Sequence, residues 1–410
     1  MYPSLETVKQ LASQGDYKRI PVCRELFSDK YTPVEVMRML KKASHHCYLL
    51  ESASQSEAWG RYSFLGYDPV MEITCCEGEM KIRHTGENGN QEEKICHVTH
   101  PGETLRQVLD QYKSPKVEGL PTFTGGLVGY FSYDYIRYSE PKLKLGSKGQ
   151  QDFRDMDLML FDQVIAFDHY RQKLLLITGV NTENIGISYQ EAQKKLQDMA
   201  DLIKKEDKME FPPIHLLSEI QPELPEKEYC QIVERAKQYI KEGDIFQVVL
   251  SNPMRAKAEG SLFDTYRVLR ATNPSPYMFY FSSDDIEIAG ASPETLVKLD
   301  QGKLSTFPLA GTRPRGKDRE EDMALEAELL KDEKELAEHN MLVDLGRNDI
   351  GKISKIGTVQ VEKYLDVERY SCVMHLGSTV IGQIRDDKDA VNAVDAILPA
   401  GTLSGAPKFR

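Results

Sequence analysis

Apolar residues recur at helical spacing between residues 323 and 349, with Leu325, Leu329, Leu336 and Val343 following the pattern. No proline interrupts this segment, and the acidic residues just before it suit the positive end of a helix dipole. The pattern therefore predicts one long helix across the whole segment.

Two glutamates of this predicted helix are candidates for chemistry. Glu335 and Glu338 lie three positions apart, so they share a helix face with Leu342 and Leu345. A carboxylate pair beside an apolar stripe is costly to bury unless it holds a cation or a proton. The alternative is a solvated acidic turn, which is the usual role of a Glu-rich helix. The apolar residues that follow favour a metal or acid site, but the helix alone leaves both interpretations open.

Short apolar runs in the first half of the chain predict antiparallel strands separated by turns. Residues 62–83 are predicted to form a β-meander, and residues 158–178 a hairpin that turns at 169–172. Thr32 and Pro33 predict the start of a helix, since one suits the N-cap and the other the first helical position. The other predicted elements of this half are the strand 46–52 and the helix 189–203.

The stretch from Gly125 to Asp134 is rich in glycine and tyrosine. Its glycines do not have the spacing of a dinucleotide-binding or phosphate-binding loop. We therefore expect them to relieve crowding of the backbone.

A charged run at 204–210 and the prolines that follow it mark a break between two halves. We predict an N-terminal region at 1–205, a connection at 206–225 and a second domain at 226–410. The second domain mixes helices and strands without strict alternation, which favours an α+β fold with antiparallel sheets. Its predicted elements are helices at 229–243 and 262–270, strands at 244–251, 277–282 and 286–289, and a hairpin at 295–307.

Size and charge limit the functional classes. The chain has 410 residues, 40% of them hydrophobic, which is enough to bury more than one core. Its formal net charge of −12 argues against non-specific binding to nucleic acid or to an anionic membrane. An anionic small substrate stays possible, because local arginines and backbone N–H groups decide its binding.

Cysteine usage and the N-terminal sequence indicate the compartment. Seven cysteines are an odd number, and Cys75 and Cys76 are adjacent, so a disulfide framework is not expected. Neither a zinc-binding spacing nor a basic-then-apolar leader occurs, and no apolar run reaches membrane length. We therefore expect a soluble protein of the reducing cytoplasm.

Several motifs in the second half, in a fixed order, resemble the chorismate-utilising enzymes, which include anthranilate, aminodeoxychorismate, isochorismate and salicylate synthases. The resemblance begins near Leu224. In the first half, Leu49–Ser52 and Gly125–Glu140 are similar to anthranilate synthase component I in particular. The motifs of the second half are Gly290–Glu294, Pro308–Arg313, Asp332–Asp349, Met374–Leu376 and Gly401–Lys408.

Two positions distinguish the branches of this family. Aminodeoxychorismate synthases have an attacking lysine where this chain has Ala310, and isochorismate and salicylate synthases have a water-activating lysine where it has Gln247. A glutamine cannot act as a base near neutral pH. Ammonia remains as the nucleophile, which implies the anthranilate branch. The alternatives are an aminodeoxychorismate synthase component I, or a non-catalytic fragment that senses tryptophan or serves as a scaffold.

The resemblance implies a fold and a set of ligands. The family fold is a two-sheet antiparallel α/β sandwich with flanking helices. Mg²⁺ is expected on Glu338, with Glu335 in or near its coordination shell, where it would orient the ring carboxylate of chorismate. The backbone of Gly311 and Thr312 is expected to bind a substrate carboxylate.

Roles in proton transfer follow from the same resemblance. Glu294 is expected to protonate the departing C4 hydroxyl while ammonia attacks C2, and burial beside Pro293 would raise its pKa as that role requires. His375 is the candidate for removing the C2 proton as pyruvate leaves, with Thr402 hydrogen-bonding nearby. A histidine within an apolar core and a glutamate that caps a turn are the structural alternatives.

Partners and regulation are implied as well. The chain has no Gly-x-Cys-x-Gly segment for a glutaminase nucleophile, so a separate glutamine amidotransferase subunit (component II) is expected to supply ammonia. A tryptophan effector site is expected at Glu51, Ser52, Pro276, Tyr277 and Met278, which resemble the regulatory elements of the family. The region 1–205 would then be regulatory.

The family pattern continues beyond Arg410 with further chorismate-binding residues and a second carboxylate pair. From this we expect a catalytic domain that is incomplete at its C-terminal end. Such a chain would bind Mg²⁺ and chorismate weakly and form little anthranilate.

Overall fold

The protein forms two compact units with discontinuous boundaries. A computed structural model describes residues 1–52, 60–85, 91–143, 146, 153–370 and 372–410. The first unit comprises Met1–Tyr138, Lys142–Ile214 and Gly260–Ser292, and the second comprises Ser139–Pro141, His215–Glu259 and Pro293–Arg410. The predicted boundaries follow the order of the chain, whereas residues 260–292, which lie in the predicted second domain, belong to the first unit.

The larger sheet of the first unit has seven strands among the described residues. In sheet order they are β1 (Arg19–Phe27), β10 (Lys173–Asn181), β9 (Gln163–Asp168), β3 (Tyr62–Tyr67), β2 (Cys47–Glu51), β16 (Tyr277–Ser282) and β17 (Glu287–Ser292). The pairing of β16 with β2 explains why residues 260–292 belong to this unit, and it sets Met278 opposite Glu51.

A second sheet of this unit has five strands within the described ranges. In sheet order they are β6 (Gln91–His97), β5 (Glu79–Thr85), β4 (Met71–Cys76), β8 (Met156–Phe161) and β7 (Gly126–Phe131). The predicted meander over residues 62–83 is therefore wrong, because β3 and β4 belong to different sheets. The chain also changes sheet at Asp162, between β8 and β9. A Cβ on Gly129 would lie 1.9 Å from the carbonyl oxygen of Asp157, so crowding does require this glycine.

Helices cover the larger sheet and supply its core. The Thr32 side chain accepts a hydrogen bond from the backbone N–H of Glu35, with Pro33 in the first turn, so the predicted helix start is confirmed. Leu40, Leu196 and Tyr266 are fully buried in this core. These helices are α1 (Leu5–Ser13), α2 (Pro33–Ala43), α5 (Ile185–Lys205) and α7 (Phe263–Thr272). The chain also forms α3 (Gly102–Gln111), α4 (Ile136–Ser139) and a 3₁₀ turn at Tyr133–Tyr135.

The sheet of the second unit is built around β22 (Val373–Gln383). Its other strands are β18 (Lys298–Asp300), β19 (Lys303–Thr306), β20 (Leu309–Pro314) and β21 (Gln360–Arg369). Three short ladders pair β11 (His215–Leu216) with β15 (Ala258–Glu259), β12 (Gln221–Pro222) with β14 (Met254–Arg255), and β13 (Gln247–Val248) with β23 (Gly405–Ala406). The predicted strand at 244–251 is thus reduced to β13.

The predicted single long helix is wrong, because the chain is interrupted at residues 330–332. Asp332 caps the second helix by accepting hydrogen bonds from the N–H groups of Lys334 and Glu335. Its other oxygen lies 2.7 Å from a guanidinium nitrogen of Arg313. The helices of this unit are α6 (Glu226–Glu242), α8 (Arg319–Leu329), α9 (Glu333–Gly351), α10 (Ala390–Ile397) and α11 (Gly401–Ser404).

All ladders between the described strands are antiparallel, so the predicted α+β fold with antiparallel sheets is confirmed. None of the helices in the described ranges combines the length and the apolar character needed to cross a bilayer.

Candidate active site

Helix α9 carries the glutamate pair near its start and packs against β20 and β22 through its apolar face. Glu335 and Glu338 are both partly buried. The side-chain amide of Gln247 donates to Oε1 of Glu338 over 3.4 Å. Oε1 of Glu335 lies 3.2 Å from Nζ of Lys334, whose side chain is mostly exposed. The carboxylates of Glu335 and Glu338 are therefore accessible, and the neutral side-chain amide of Gln247 helps to orient one of them.

Gly405 allows the backbone of the Gln247 segment to approach closely, which positions Gln247 beside Glu338. Gln247 pairs with Ala406, and Val248 pairs with Gly405. Gly405 has φ +148°, and a Cβ there would lie 2.3 Å from the carbonyl oxygen of Gln247. Because only glycine permits this approach, the Gly401–Lys408 motif and the Gln247 segment depend on each other.

Metal ligands are few among the described residues. No group of three or more His, Cys, Asp or Glu side chains in those ranges has the arrangement to hold a metal ion. Glu335 and Glu338 thus offer two carboxylates, and other oxygen ligands would have to come from water or substrate.

Glu294 is the titratable group of this unit best suited to acid catalysis. Burial raises the pKa of its carboxyl group from 4.5 to about 7, and a hydrogen bond from Thr402 opposes that rise. The Thr402 hydroxyl lies 3.4 Å from Oε1 of Glu294. The described hydrogen bond of Thr402 is thus with Glu294. A carboxyl group with this pKa is partly protonated near neutral pH.

His375 lies on β22 directly opposite Thr312 of β20. Its Nδ1 is 3.0 Å from the Thr312 hydroxyl and 3.2 Å from the carbonyl oxygen of Gly311. A carbonyl oxygen can only accept, so Nδ1 carries the proton in that contact and Nε2 of the neutral ring has a lone pair. This tautomer suits a base that acts through Nε2.

Gly311 occupies an irregular position in β20. The register shifts between Ala310 and Thr312, and Gly311 has φ +70° and is buried. A Cβ there would lie 3.2 Å from side-chain atoms of Leu329 and Leu376. The bulge turns the carbonyl oxygen of Gly311 towards His375. Ala310 itself is buried and brings no amine to this strand.

Two supporting interactions were not found from the sequence. His339, which follows Glu338, is fully buried, and its Nε2 lies 2.7 Å from the Ser378 hydroxyl on β22. Lys408 pairs with Asp349 of α9 over 2.8 Å, and both side chains are buried. The only sign of the His339 contact in the sequence is a histidine within the apolar face of a predicted helix. The only sign of the Lys408 contact is the basic end of the Gly401–Lys408 motif.

The predicted effector residues lie together in the first unit. Glu51 is buried at the end of β2, and Arg270 of α7 binds its carboxylate with two nitrogens, at 2.8 and 3.1 Å. The Tyr266 hydroxyl donates to Oε2 over 2.7 Å, and the Ser63 hydroxyl to Oε1 over 3.2 Å. Tyr266 and Arg270 lie one turn apart on α7, a spacing that could have linked them in the sequence.

The other predicted effector residues differ in exposure. Oγ of Ser52 is buried and has no hydrogen-bond partner within the described part of the chain. Met278 is buried, whereas Pro276 and Tyr277 are partly exposed. The group therefore combines a buried hydroxyl with partly exposed apolar surface.

The antiparallel fold and these two groups of side chains define a class of protein. Residues 6–410 match the family model of the chorismate binding enzymes, and the chain belongs to that family.

Named relatives point to one member of it. The chain is 41% identical to anthranilate synthase component 1 of Acetivibrio thermocellus, over 100% of this chain and 83% of the relative. It is 42% identical to the component 1 of Acinetobacter calcoaceticus, over 99% of this chain and 82% of the relative.

Solved structures agree with this family. The crystal structure of anthranilate synthase component I from Streptococcus pneumoniae TIGR4 matches with a TM-score of 0.71 and 37% identity, over 85% of this chain and 75% of that one. The menaquinone-specific isochorismate synthase from Escherichia coli matches with a TM-score of 0.63 at 18% identity, over 98% of this chain and 80% of that one, and shows the shared fold alone.

Proposed function

We propose that this chain converts chorismate and ammonia into anthranilate, pyruvate and water, as the large component of an anthranilate synthase. The observation that carries the proposal is the partly buried Glu294, with its pKa near 7 and Thr402 within hydrogen-bonding distance. The named activity of the relatives supports the same reaction.

The acid step belongs to Glu294. As ammonia forms a bond to C2 of the ring, the C4 hydroxyl must leave with a proton, since hydroxide is a poor leaving group. A carboxyl group with a pKa near the working pH can supply this proton and still be present in useful amounts.

The base step belongs to His375. Loss of the C2 proton and cleavage of the bond between the ring and the enolpyruvyl oxygen make the ring aromatic. The enolpyruvate that leaves takes up one proton at its methylene carbon and becomes pyruvate. Nε2 of His375 can accept the C2 proton, because Gly311 and Thr312 hold the other ring nitrogen in its protonated form.

The glutamate pair fits Mg²⁺, which prefers hard oxygen ligands and often binds one or two carboxylates together with water and substrate oxygens. Glu335 and Glu338 would hold the ion, which when bound acts as a Lewis acid that orients an anionic substrate. Gln247 restrains the Glu338 carboxylate for this purpose. The backbone of Gly311 and Thr312 is the proposed contact for a substrate carboxylate.

We further propose that a glutamine amidotransferase subunit supplies the ammonia and that tryptophan inhibits the enzyme from the Glu51 region. The description of the relatives as component 1 supports a partner subunit. Support for the effector site comes from the buried Ser52 hydroxyl and the exposed surface of Pro276 and Tyr277. Cytoplasmic location agrees with cysteines that form no disulfide bond within the described ranges.

The test is formation of anthranilate, detected by fluorescence and identified by chromatography, from chorismate, ammonium and Mg²⁺. We expect Glu294→Gln to lower kcat by about 100- to 10,000-fold. Glu333→Gln, an exposed glutamate in the same unit, is the matched control and should leave kcat unchanged. A different amino product, or equal rates for the wild type and Glu294→Gln, would contradict the proposal.

A further inference from the structure

Arg313 joins three elements of the second unit. Its Nε lies 2.9 Å from Oε1 of Glu328, in the last turn of α8. Another nitrogen of the same guanidinium lies 2.7 Å from Oδ2 of Asp332, the N-cap of α9. The Arg313 side chain is only 17% exposed, and a guanidinium presents its donors in a fixed fork. One side chain of β20 therefore holds the end of one helix and the start of the next.

Asp332 transmits this restraint to Glu335. Its Oδ1 accepts hydrogen bonds from the backbone N–H groups of Lys334 and Glu335, over 3.0 and 3.1 Å. The hydrogen bond from the Glu335 N–H and that from Arg313 hold the pKa of Asp332 below its ordinary value of 3.8, so its carboxylate is ionised near neutral pH. One oxygen of Asp332 thus binds the strand β20, and the other binds the first turn of α9.

The same strand carries a partner of the proposed base. Thr312 precedes Arg313, and its hydroxyl lies 3.0 Å from Nδ1 of His375. A continuous path of bonds and hydrogen bonds therefore leads from His375 to the backbone of Glu335, one of the two proposed Mg²⁺ ligands. Partners outside the coordination shell orient the ligands within it, and they affect metal affinity without touching the ion.

We infer that Arg313 is a positioning residue. By binding Asp332 it fixes the first turn of α9, and with it the Glu335 carboxylate, relative to the strand that holds His375. This inference rests on the proposed metal-binding role of Glu335. A residue that only stabilised the fold would change the free energy of unfolding and leave the Mg²⁺ affinity of the folded protein unchanged.

The test measures Mg²⁺ affinity by calorimetry, with urea unfolding to show that each variant is folded. We expect Arg313→Gln to bind Mg²⁺ about three- to tenfold more weakly than wild type, because loss of a partner next to a ligand costs about 10- to 100-fold and Arg313 acts one step further out. Asp332→Asn keeps a good helix cap and removes the charge that Arg313 binds, so a similar loss is expected. The double variant should lose no more than either single variant, because both residues act through one contact.

Arg315→Gln is the matched control. Arg315 lies two positions after Arg313 and binds Asp322 in the first turn of α8 with two nitrogens, over 2.8 and 3.0 Å, rather than the cap of α9. It should keep the wild-type Mg²⁺ affinity even where its free energy of unfolding falls. Arg313→Lys should show a smaller loss than Arg313→Gln, because an ammonium keeps the charge but lacks the fork. If Arg313→Gln fails to fold, Arg313→Lys and Asp332→Asn allow the same comparison.

The failures of this inference and of the proposed metal site are distinguishable. Wild-type affinity in the Arg313 and Asp332 variants, with weaker binding in Glu335→Gln, would overturn the positioning role and leave the metal site standing. Equal losses in Arg313→Gln and Arg315→Gln would also overturn the positioning role, since they would reflect general loosening of the unit. Wild-type affinity in Glu335→Gln would overturn both proposals.

Discussion

The Thr402 hydroxyl lies 3.4 Å from Oε1 of Glu294, although 108 positions separate the two residues in the chain. This hydrogen bond favours the ionised carboxylate, whereas burial favours the neutral acid more strongly. The balance sets the proportion of protonated acid near pH 7.

Removal of the hydroxyl should change the pH dependence of the reaction. Since the Thr402 contact lowers the pKa of Glu294, Thr402→Val should raise that pKa and move the alkaline limb of the kcat profile to higher pH. The profile is measured by anthranilate fluorescence at saturating ammonia, and Thr358→Val, distant in the chain, serves as the control. A limb that stays in place would show that Glu294 is not the acid.

Replacement of Glu294 should also change stability with pH. Its pKa is about 7 when folded and 4.5 ordinarily, so the folded protein binds the proton more tightly. The contribution of Glu294 to stability is therefore fully present below pH 4.5 and is lost as the pH rises through 7. Glu294→Gln removes this penalty and should be about 1–3 kcal/mol more stable than wild type at pH 8. Urea unfolding at pH 5 and pH 8 checks this, and an equal difference at both values would contradict it.

The glutamate pair allows a matched test of metal binding. Glu335→Gln or Glu338→Gln should weaken Mg²⁺ binding by about tenfold or more, because each removes one of two carboxylate ligands. Glu333→Gln, on the same helix, should have no effect. Calorimetric Mg²⁺ titration provides a readout independent of turnover. Equal affinities for all three variants would remove the pair from the metal site.

The close approach at Gly405 predicts a local defect. Gly405→Ala should cost more than the roughly 1 kcal/mol expected for a positive φ alone, because the new Cβ would meet the Gln247 carbonyl oxygen. Gly357→Ala is the control, since Gly357 has φ +80° but a Cβ added there would meet no described atom within 4 Å. Thermal unfolding ranks the variants. Equal losses of stability in Gly405→Ala and Gly357→Ala would show that the β13–β23 ladder is dispensable for stability.

Much of the secondary structure could be predicted because its signals are local. The Thr32 cap with Pro33, the helix stripe of 189–203 and the glycine after α6 each act within a few residues. The break at Asp332 escaped prediction because its cause includes Arg313, which is distant in the chain. The short length of β13 likewise depends on a partner strand that no local pattern reveals.

The candidate site shows the same limit. Sequence motifs identified Glu294 and His375, but their hydrogen-bonding partners could not be assigned, since Thr402 and Thr312 reach them only through tertiary structure. The Arg270 contact with Glu51 was missed for the same reason. Motifs indicate which chemical groups a site contains, and the fold decides how they are paired.

The discontinuous first unit limits how this protein can be divided into parts. A cut at the predicted connection would separate β2 from β16, which pairs along its edge, and would leave unpaired backbone groups exposed to association with other chains. Such a fragment would also carry the Glu51 carboxylate without Tyr266 and Arg270. Residues 1–205 alone therefore lack part of the proposed effector site, and any module built around Glu51 must include residues 260–292.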